Sequence, residues 1–298
     1  MSRLVKNLFL IIGLFTLYAC NKRVDNFELE YSGDQLVLFG NISNQQGVTV
    51  YLTHTLPPTG EYYFDEIEIE VSGAIIVLFE NDIAVDTLIE LTPGNYFVSY
   101  LPTPEYKYAI TCSAIGYETI YSENVTFPEP VVLEGVNFIS GFENINGDPA
   151  CSVLPVFIDD INTDNYYTFG FSFLLDENVN YGNVYETPDA SPLGCESGVF
   201  IFESSYYKIF SDNCFAGASF PFSFISSTVY HEDTILPFSQ FNFSVGTVSS
   251  ELPQFITNQS ETSGIILLFS DPKINYSNIT NGFGMFWAQN DTTFEYHF

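Results

Sequence analysis

The chain has 298 residues, a length sufficient for two domains of ordinary size. Its 37 Asp and Glu residues outnumber its 7 Lys and Arg residues, giving a formal net charge of -30. Because phosphate binding needs clustered basic side chains, this balance excludes nucleic acid as a partner and argues against adsorption on anionic lipid. Hydrophobic residues make up 46% of the chain and aromatic residues 17%, which excludes a disordered chain and favours an all-β fold.

The first twenty residues have the pattern of an export signal. Arg3 and Lys6 precede an apolar run over residues 7–17, which is too short to span a membrane. The sequence Leu17-Tyr18-Ala19-Cys20 then resembles the end of a bacterial lipoprotein signal, in which the cysteine thiol receives a diacylglycerol. We therefore predict that residues 1–19 are removed, that Cys20 is lipidated, and that residues 20–34 form a tether; the alternative is an ordinary secretory signal with a chance cysteine.

Residues 35–130 read as a β-sandwich. Val48, Val50 and Leu52 alternate with polar or aromatic residues, as expected for a strand with one solvated face. Ile67, Ile69 and Val71 alternate with glutamates in the same way. Residues 74–79 are apolar on both faces and should form a central strand. Further strands are predicted over residues 36–39, 96–100, 106–114 and 120–126, with turns at 81–82, 93–95 and 116.

Several motifs in this region resemble known families. Prealbumin-like and carboxypeptidase-regulatory-like sandwiches are similar over Ala74-Ile75-Ile76-Val77-Leu78-Phe79-Glu80-Asn81, Thr87-Leu88, Gly94-Asn95-Tyr96 and Tyr108-Ala109-Ile110-Thr111-Cys112-Ser113-Ala114-Ile115-Gly116-Tyr117. Together with the lipoprotein signal and residues 36–42, 164–167 and 210–217, the chain resembles the lipoprotein family called domain of unknown function 4249. Its most specific match is Ser277-Asn278-Ile279-Thr280-Asn281-Gly282-Phe283-Gly284-Met285-Phe286.

The resemblance implies an outer-membrane lipoprotein, often encoded beside TonB-dependent receptors, and it brings no catalytic residues and no cofactor. We therefore expect a lipid-anchored accessory or binding protein of the outer membrane that contacts a β-barrel protein, either a TonB-dependent receptor or another envelope complex. The alternative is a structural or assembly subunit of a larger outer-membrane complex. The side of the outer membrane on which the protein works stays open.

Residues 131–298 are predicted to form a second, phenylalanine-rich β domain, sandwich-like, with at most one or two short helices. Residues 131–150, rich in Gly and Asn, read as a segment that crosses to it. Only residues 250–259 favour a helix, with Ser250 as its N-cap. Strands are predicted over residues 153–158, 166–175, 199–203, 220–225, 238–248, 264–269 and 282–288.

Four cysteines remain besides Cys20, and export permits disulfides among them. Cys195 and Cys214 lie in polar, turn-rich stretches, and we predict that they pair. Cys112 alternates with Tyr108 and Ile110, so it should point inward as a free thiol.

No motif predicts catalysis. His54, His231 and His297 lie outside any recognisable hydrolase pattern, and we read His231-Glu232-Asp233 as a surface loop. Residues 159–164 place oxygen-bearing side chains as a calcium loop does, but they lack its glycine and its final glutamate, so a turn is preferred. The chain is therefore not expected to be an enzyme or to hold a metal.

Two kinds of surface site remain. Asp86-Thr87-Leu88, Asp233-Thr234-Ile235 and Asp291-Thr292-Thr293 resemble bacterial O-glycosylation acceptors, which would modify Thr87, Thr234 and Thr292. Aromatic side chains near polar loops could form a partner surface, since aromatic residues dominate interface hot spots. These candidates are Tyr62, Tyr63, Tyr181, Tyr185, Tyr206 and Tyr207.

Overall fold

The computed structural model describes residues 33–57, 68–143, 149–159, 163–175, 178–181, 185–186, 196–202, 205–212, 224–227, 230–231, 234–235, 240–260 and 276–297. Asp34–Thr55 and Glu68–Phe298 belong to one compact unit, which holds every strand named below. In the described residues, no helix is both long enough and apolar enough to span a bilayer.

Almost all regular structure is strand, with a single helix, α1 (Glu251–Ser260), in the described part of the chain. The strands are β1 (Leu36–Ser43), β2 (Gly47–His54), β3 (Ile75–Glu80), β4 (Ile83–Thr87), β5 (Ile89–Thr92), β6 (Asn95–Val98), β7 (Lys107–Ser113), β8 (Ile120–Ser122), β9 (Val125–Thr126), β10 (Gly135–Glu143), β11 (Pro149–Val156), β12 (Tyr166–Leu175), β13 (Asn178–Tyr181), β14 (Tyr185–Glu186), β15 (Glu196–Phe202), β16 (Ser205–Ser211), β17 (Phe224–Ser227), β18 (Tyr230–His231), β19 (Thr234–Ile235), β20 (Gln240–Val248), β21 (Ile279–Thr280) and β22 (Phe283–His297).

The largest sheet has the strand order β15-β16-β12-β20-β22-β1-β2-β6-β5, with β13 paired to β12. A six-stranded sheet has the order β21-β8-β7-β3-β4, with β9 paired to β7. A four-stranded sheet (β10-β11-β17-β14) and the hairpin β18-β19 complete the described strands. We call the sheet that contains β1 and β22 the larger sheet, and the six-stranded sheet that contains β3 and β7 the second sheet.

The sandwich core lies between one face of β1 and β2 in the larger sheet and the inner face of the second sheet. Alternate residues of these strands point inward, as a period of two requires. The core includes Leu38 and Leu52 from the larger sheet and Ile76, Ile110 and Cys112 from the second sheet, each at most 1% exposed. Together they form a continuous apolar layer between the sheets, which is the largest source of stability in this part of the fold.

Residues 284–290 of β22 are buried on both faces of the sheet. Phe286 and Ala288 point into the sandwich core, whereas Met285 and Trp287 point to the opposite face and pack with Leu252 of α1. The helix begins as predicted, because Gln254 N–H donates to the carbonyl of Ser250 at 3.3 Å. The larger sheet therefore has the second sheet on one side and α1 on the other at this strand.

Strand β22 also joins the two halves of the larger sheet. Its residues 283–289 pair in parallel with β1, and its residues 289–297 pair antiparallel with β20. Three side chains form hydrogen bonds with backbone groups of β22 that these ladders leave without a partner. Asn278 exchanges two hydrogen bonds with Phe286 (2.8 and 2.9 Å), Ser249 Oγ accepts from Ala288 N–H (3.0 Å), and Asn44 exchanges two hydrogen bonds with Asp291 (both 2.8 Å).

Residues 277–286, the most specific part of the family resemblance, carry the chain from the second sheet to the larger one. Strand β21 pairs with β8, and a turn at Asn281 (φ 65°) leads directly into β22. Gly284 has φ 114°, and a Cβ there would lie 1.9 Å from the carbonyl oxygen of Leu38. This close approach of β22 to β1 requires a glycine at position 284.

The prediction of an all-β, sandwich-like fold with at most two short helices is confirmed by these elements. The finer likeness to prealbumin stays a prediction, as does the domain boundary at residue 130. Strands from both predicted domains share the larger sheet, because β1 pairs with β22. Residues 131–150 are predicted above to be a crossing segment, yet residues 135–143 form β10. Gly135 and Asn137 pair regularly with β11, and a bulge between Ser140 and Phe142 takes up Gly141.

Phenylalanine rings contact one another across strands in the C-terminal half of the larger sheet. Phe169 lies 6.1 Å, centroid to centroid, from Phe243 on the adjacent strand and 5.5 Å from Phe210. All three are fully buried. Among the described side chains, these cross-strand aromatic contacts are part of the core of that half.

Candidate functional site

The outer face of the larger sheet, opposite the sandwich core, carries an aromatic groove. The ladder registers align two rows of side chains across β22, β1, β2, β6 and β5. One row is Trp287, Asn41, Thr49, Phe97 and Ile89, and the other is Met285, Phe39, Tyr51, Asn95 and the bulge at Leu91–Thr92. The cavity along these rows has a volume of about 430 Å³, and we call it the outer groove; it is lined by Phe39, Asn41, Thr49, Val50, Tyr51, Leu91, Asn95, Tyr96, Phe97 and Trp287.

The outer groove is closed at one end and open at the other. At the closed end, Phe255 of α1 meets Phe39 edge to face at a centroid distance of 5.7 Å, and Trp287 is only 4% exposed. At the open end, Leu91 is 62% exposed on the outermost strand of the sheet. The floor is therefore rigid, because it consists of paired strands, and the apolar side chains become more exposed toward β5.

The polar groups of the outer groove are few and fixed. Tyr51 donates its hydroxyl proton to Glu70 Oε1 at 3.3 Å, and the pKa of Tyr51 is raised first by burial and then by Glu70. Asn95 Nδ2 donates to Thr92 Oγ1 at 3.0 Å, and Asn41 lies at the floor, 7% exposed. Aromatic walls with a few oriented polar groups suit binding of an apolar side chain or ligand. Within this lining no nucleophilic side chain is paired with a base.

A second cavity, of about 530 Å³, lies between the loops before β10 and the ends of β12 and β20. Its lining includes the carboxylates Glu105, Glu129, Asp164 and Glu251. One wall is the segment after β9, which is held to the larger sheet because Asn290 Nδ2 donates to Pro128 O (2.8 Å) and Thr292 Oγ1 donates to Val131 O (3.1 Å). This cleft is more acidic and less apolar than the outer groove.

The stretch considered as a calcium loop lies beside this cleft. Asp159 is buried and accepts hydrogen bonds from the hydroxyl of Tyr167 and from Asn165 Nδ2 (3.3 Å), while Asp212 accepts from Asn165 N–H at 2.6 Å. Burial raises the pKa of Asp212, and burial followed by the bond to Asp159 raises that of Tyr167. Residues 160–162 lie outside the described residues. The Asp159 and Asp212 carboxylates bind protein donors, and no group of three or more metal-ligating side chains occurs among the described residues.

The predicted modification sites fall in different places. Cys20, Cys195 and Cys214 lie outside the described residues. Thr87 is exposed on β4, and the Thr292 hydroxyl is the donor to Val131 noted above. Thr234 lies in β19, where side chains are not described. Cys112 is a fully buried free thiol, as predicted, and burial raises its pKa to about 12.

The structure describes the side chain of none of the tyrosines chosen from the sequence. Tyr206 and Tyr207 belong to β16, Tyr181 ends β13, and Tyr185 begins β14. Tyr62 and Tyr63 lie outside the described residues. Of the histidines, only His54 has a described side chain; its ring nitrogens lie near backbone oxygens of Thr55 and Glu68, and its ring lies 6.2 Å from Tyr117. No carboxylate or nucleophile is among these described contacts.

Sequence reasoning missed the groove residues Phe39, Tyr51, Phe97 and Trp287. A usable signal was present in β2, where Tyr51 occupies the face opposite Val50 and Leu52. An aromatic residue on the face expected to be solvated is a candidate for a binding surface. The alignment of four such residues across strands needs the registers, which the sequence alone does not provide.

Comparisons with known proteins agree with the resemblance seen in the sequence. A similarity search finds no curated protein that matches the chain. The family model described as "Domain of unknown function (DUF4249)" matches residues 24–295, which is nearly the whole chain. The chain is therefore a member of this DUF4249 family.

Proposed function

We propose that this protein is a lipid-anchored accessory protein of the outer membrane that acts by contact with a protein or ligand, beside a TonB-dependent transporter. The observation that carries the binding role is the outer groove, an aromatic cavity of about 430 Å³ open at the edge of a rigid sheet. The lipid anchor rests on the signal ending at Cys20 and on the acidic composition, which leaves acyl chains as the means of membrane attachment. The transporter rests on the family resemblance.

The anchor and the partner are tested by separate measurements. Mass spectrometry of the native protein should show a mature N-terminus at Cys20 that carries acyl chains, and an unmodified N-terminus would overturn the anchor. Purification of the tagged full chain from detergent-solubilised outer membranes should recover a β-barrel protein in a fixed ratio. Recovery of the protein without a barrel under mild detergent would overturn the partner.

A second function, as a structural or assembly subunit of a larger envelope complex, is favoured by one observation. Large apolar side chains are exposed at several described positions outside the groove, including Ile83, Ile115 and Val132 at 68%, 97% and 79%. Permanent subunits cover such residues. If the purified protein is insoluble without partners and its complex resists salt, the second function is correct; a soluble monomer that binds reversibly supports the first.

A further inference from the structure

Strands β4 and β5 together form one exposed border of the sandwich. Strand β4 ends the second sheet and β5 ends the larger sheet, and only Leu88 separates them. Leu88 is buried, and its N–H donates to the carbonyl of Ile76 at 2.9 Å. This anchor fixes where the chain passes from one sheet to the other. We call residues 83–92 the border segment.

Strand β5 offers an unpaired backbone edge. Among the described strands it pairs only with β6, and all four of its residues are exposed. In a sheet, alternate N–H and C=O groups of the last strand point away from its neighbour and can pair with an added strand. Exposed edges are usually protected by Lys, Pro or a bulge. Strand β5 has a bulge between Glu90 and Thr92, but it keeps Ile89 and Leu91 exposed, at 61% and 62%.

The outer groove opens onto this edge. Leu91 lines the groove, and Ile89 is aligned with Phe97 in the first of the two rows. A strand added to β5 would lie about 4.8 Å away, so its alternate side chains would continue the two rows and contact Ile89 and Leu91. Backbone pairing and side-chain pockets would then act together, as in other cases of strand addition.

The acidic side chains around β5 indicate which kind of segment would bind there. Asp82, Asp86 and Glu90 are exposed on or next to the border segment, and Glu70 lies at Tyr51 in the groove. Glu90 accepts a hydrogen bond from Gly73 N–H at 2.8 Å, which lowers its pKa and keeps it charged. Two copies of this edge would bring like charges together, and the whole chain has a net charge of -30. A segment with basic side chains is the complementary occupant.

We propose that β5 is the docking strand for an extended segment of a partner protein in which apolar side chains alternate with Lys or Arg. The segment adds to the larger sheet through backbone hydrogen bonds, places its apolar side chains beside Ile89 and Leu91, and directs its basic side chains toward Asp86 and Glu90. This proposal deepens the proposed function and rests on its binding role. It names the class of partner surface and the strand that receives it.

The probe is an acetylated eight-residue peptide of alternating Val and Lys, added to the purified full-length protein. Hydrogen exchange should slow at the amides of β5, and the Leu91→Lys variant should bind the peptide about tenfold more weakly, because it loses an apolar contact and adds a like charge. The control Ile115→Lys changes the net charge equally at a side chain that is 97% exposed and outside the border segment, and it should bind as the unchanged protein does.

Two further peptides separate backbone pairing from charge attraction. The same peptide with N-methyl groups on the amides of one edge should lose binding, because that edge can no longer pair with β5. A Val–Glu peptide should also bind about tenfold more weakly at low salt. Equal binding of the methylated and unmethylated peptides, equal loss in Ile115→Lys, protection only at other strands, or self-association through β5 would each overturn the proposal.

The proposed function can fail or survive independently. Suppose that Leu91→Lys no longer binds the peptide, yet no β-barrel protein copurifies with the unchanged chain. The docking role of β5 is then supported, and the proposed transporter partner is wrong. If a barrel copurifies equally with Leu91→Lys and with the unchanged chain, and the peptide does not protect β5, the accessory role stands and the docking strand falls.

Discussion

Gly246 of β20 lies directly opposite Asp291 of β22, and the Asp291 carboxylate occupies the space above the glycine. A Cβ on residue 246 would lie 2.0 Å from Asp291 Oδ1 and 2.9 Å from Thr168 Oγ1. The carboxylate has little freedom to move, because Gln289 Nε2 donates to both of its oxygens at 2.9 and 2.8 Å. A glycine and an aspartate in this pair therefore depend on each other.

The first prediction concerns this pair. Gly246→Ala should lower the free energy of unfolding by about 1–3 kcal/mol, since the new methyl group overpacks a buried site. Gly135→Ala is the matched control, because a Cβ at residue 135 meets nothing within 4 Å. Urea denaturation measures both. In an Asp291→Ala background the cost of Gly246→Ala should fall, and an unchanged cost would show that the clash lies elsewhere.

The second prediction is a pH dependence. Burial raises the pKa of Asp291 to about 6, partly opposed by the hydrogen bonds from Gln289. Because the folded-state pKa lies above the unfolded one, the folded protein binds the proton more tightly, and this contribution is lost as the pH rises from about 4 through 6. Asp291→Asn should therefore stabilise the protein at pH 7.5, by up to about 3 kcal/mol, and have little effect near pH 4.

Denaturation of the two proteins at pH 4, 5, 6 and 7.5 checks this. The control is Asp86→Asn, which removes an exposed carboxylate of β4. If the difference in the free energy of unfolding between Asp291→Asn and the unchanged protein stays constant with pH, the pH dependence does not come from Asp291.

The third prediction concerns the two hydrogen bonds that hold Asn278 to the backbone of β22. Asn278 is 2% exposed and makes two hydrogen bonds to the backbone of Phe286. Asn278→Ala should destabilise the protein by about 2–4 kcal/mol, because it leaves a buried N–H and a buried C=O without their partner. Asn124→Ala, which removes an exposed amide 3.3 Å from Asp82, should change stability by less than about 0.5 kcal/mol. Thermal unfolding measures both effects. If the two substitutions destabilise the protein equally, the Asn278 hydrogen bonds do not have the stabilising role assigned to them.

The fourth prediction concerns the cysteines. Cys112 is fully buried with a pKa of about 12, so iodoacetamide at pH 8 should leave it unmodified in the folded protein and label it in denaturant.

Non-reducing peptide mapping should find Cys195 joined to Cys214. Labelling of Cys195 or Cys214 without a reductant would refute the disulfide.

Local patterns predicted much of this fold. Tyr108, Ile110 and Cys112 alternate in sequence and are all buried, and the helix follows its N-cap at Ser250. Strands β4 and β5 were missed because both are short and lie at sheet edges where every residue is exposed, although residues 89–92 alternate between apolar and polar side chains. Their positions are set by Leu88 and by the neighbouring strands.

The candidate site could not be predicted for a related reason. Trp287 and Asn41 are 246 positions apart in sequence, yet the parallel pairing of β22 with β1 places them side by side. No local pattern encodes that register. The groove therefore depends on the longest-range contacts of the fold, whereas sequence periodicity reports the shortest-range ones.

The position of β22 has a consequence for biogenesis. A nascent chain that has emerged only as far as α1 already contains β1 and β20, but neither has the strand that unites them. The larger sheet can therefore be completed only after β22 has been synthesised, and until then β1 and β20 each lack a neighbouring strand.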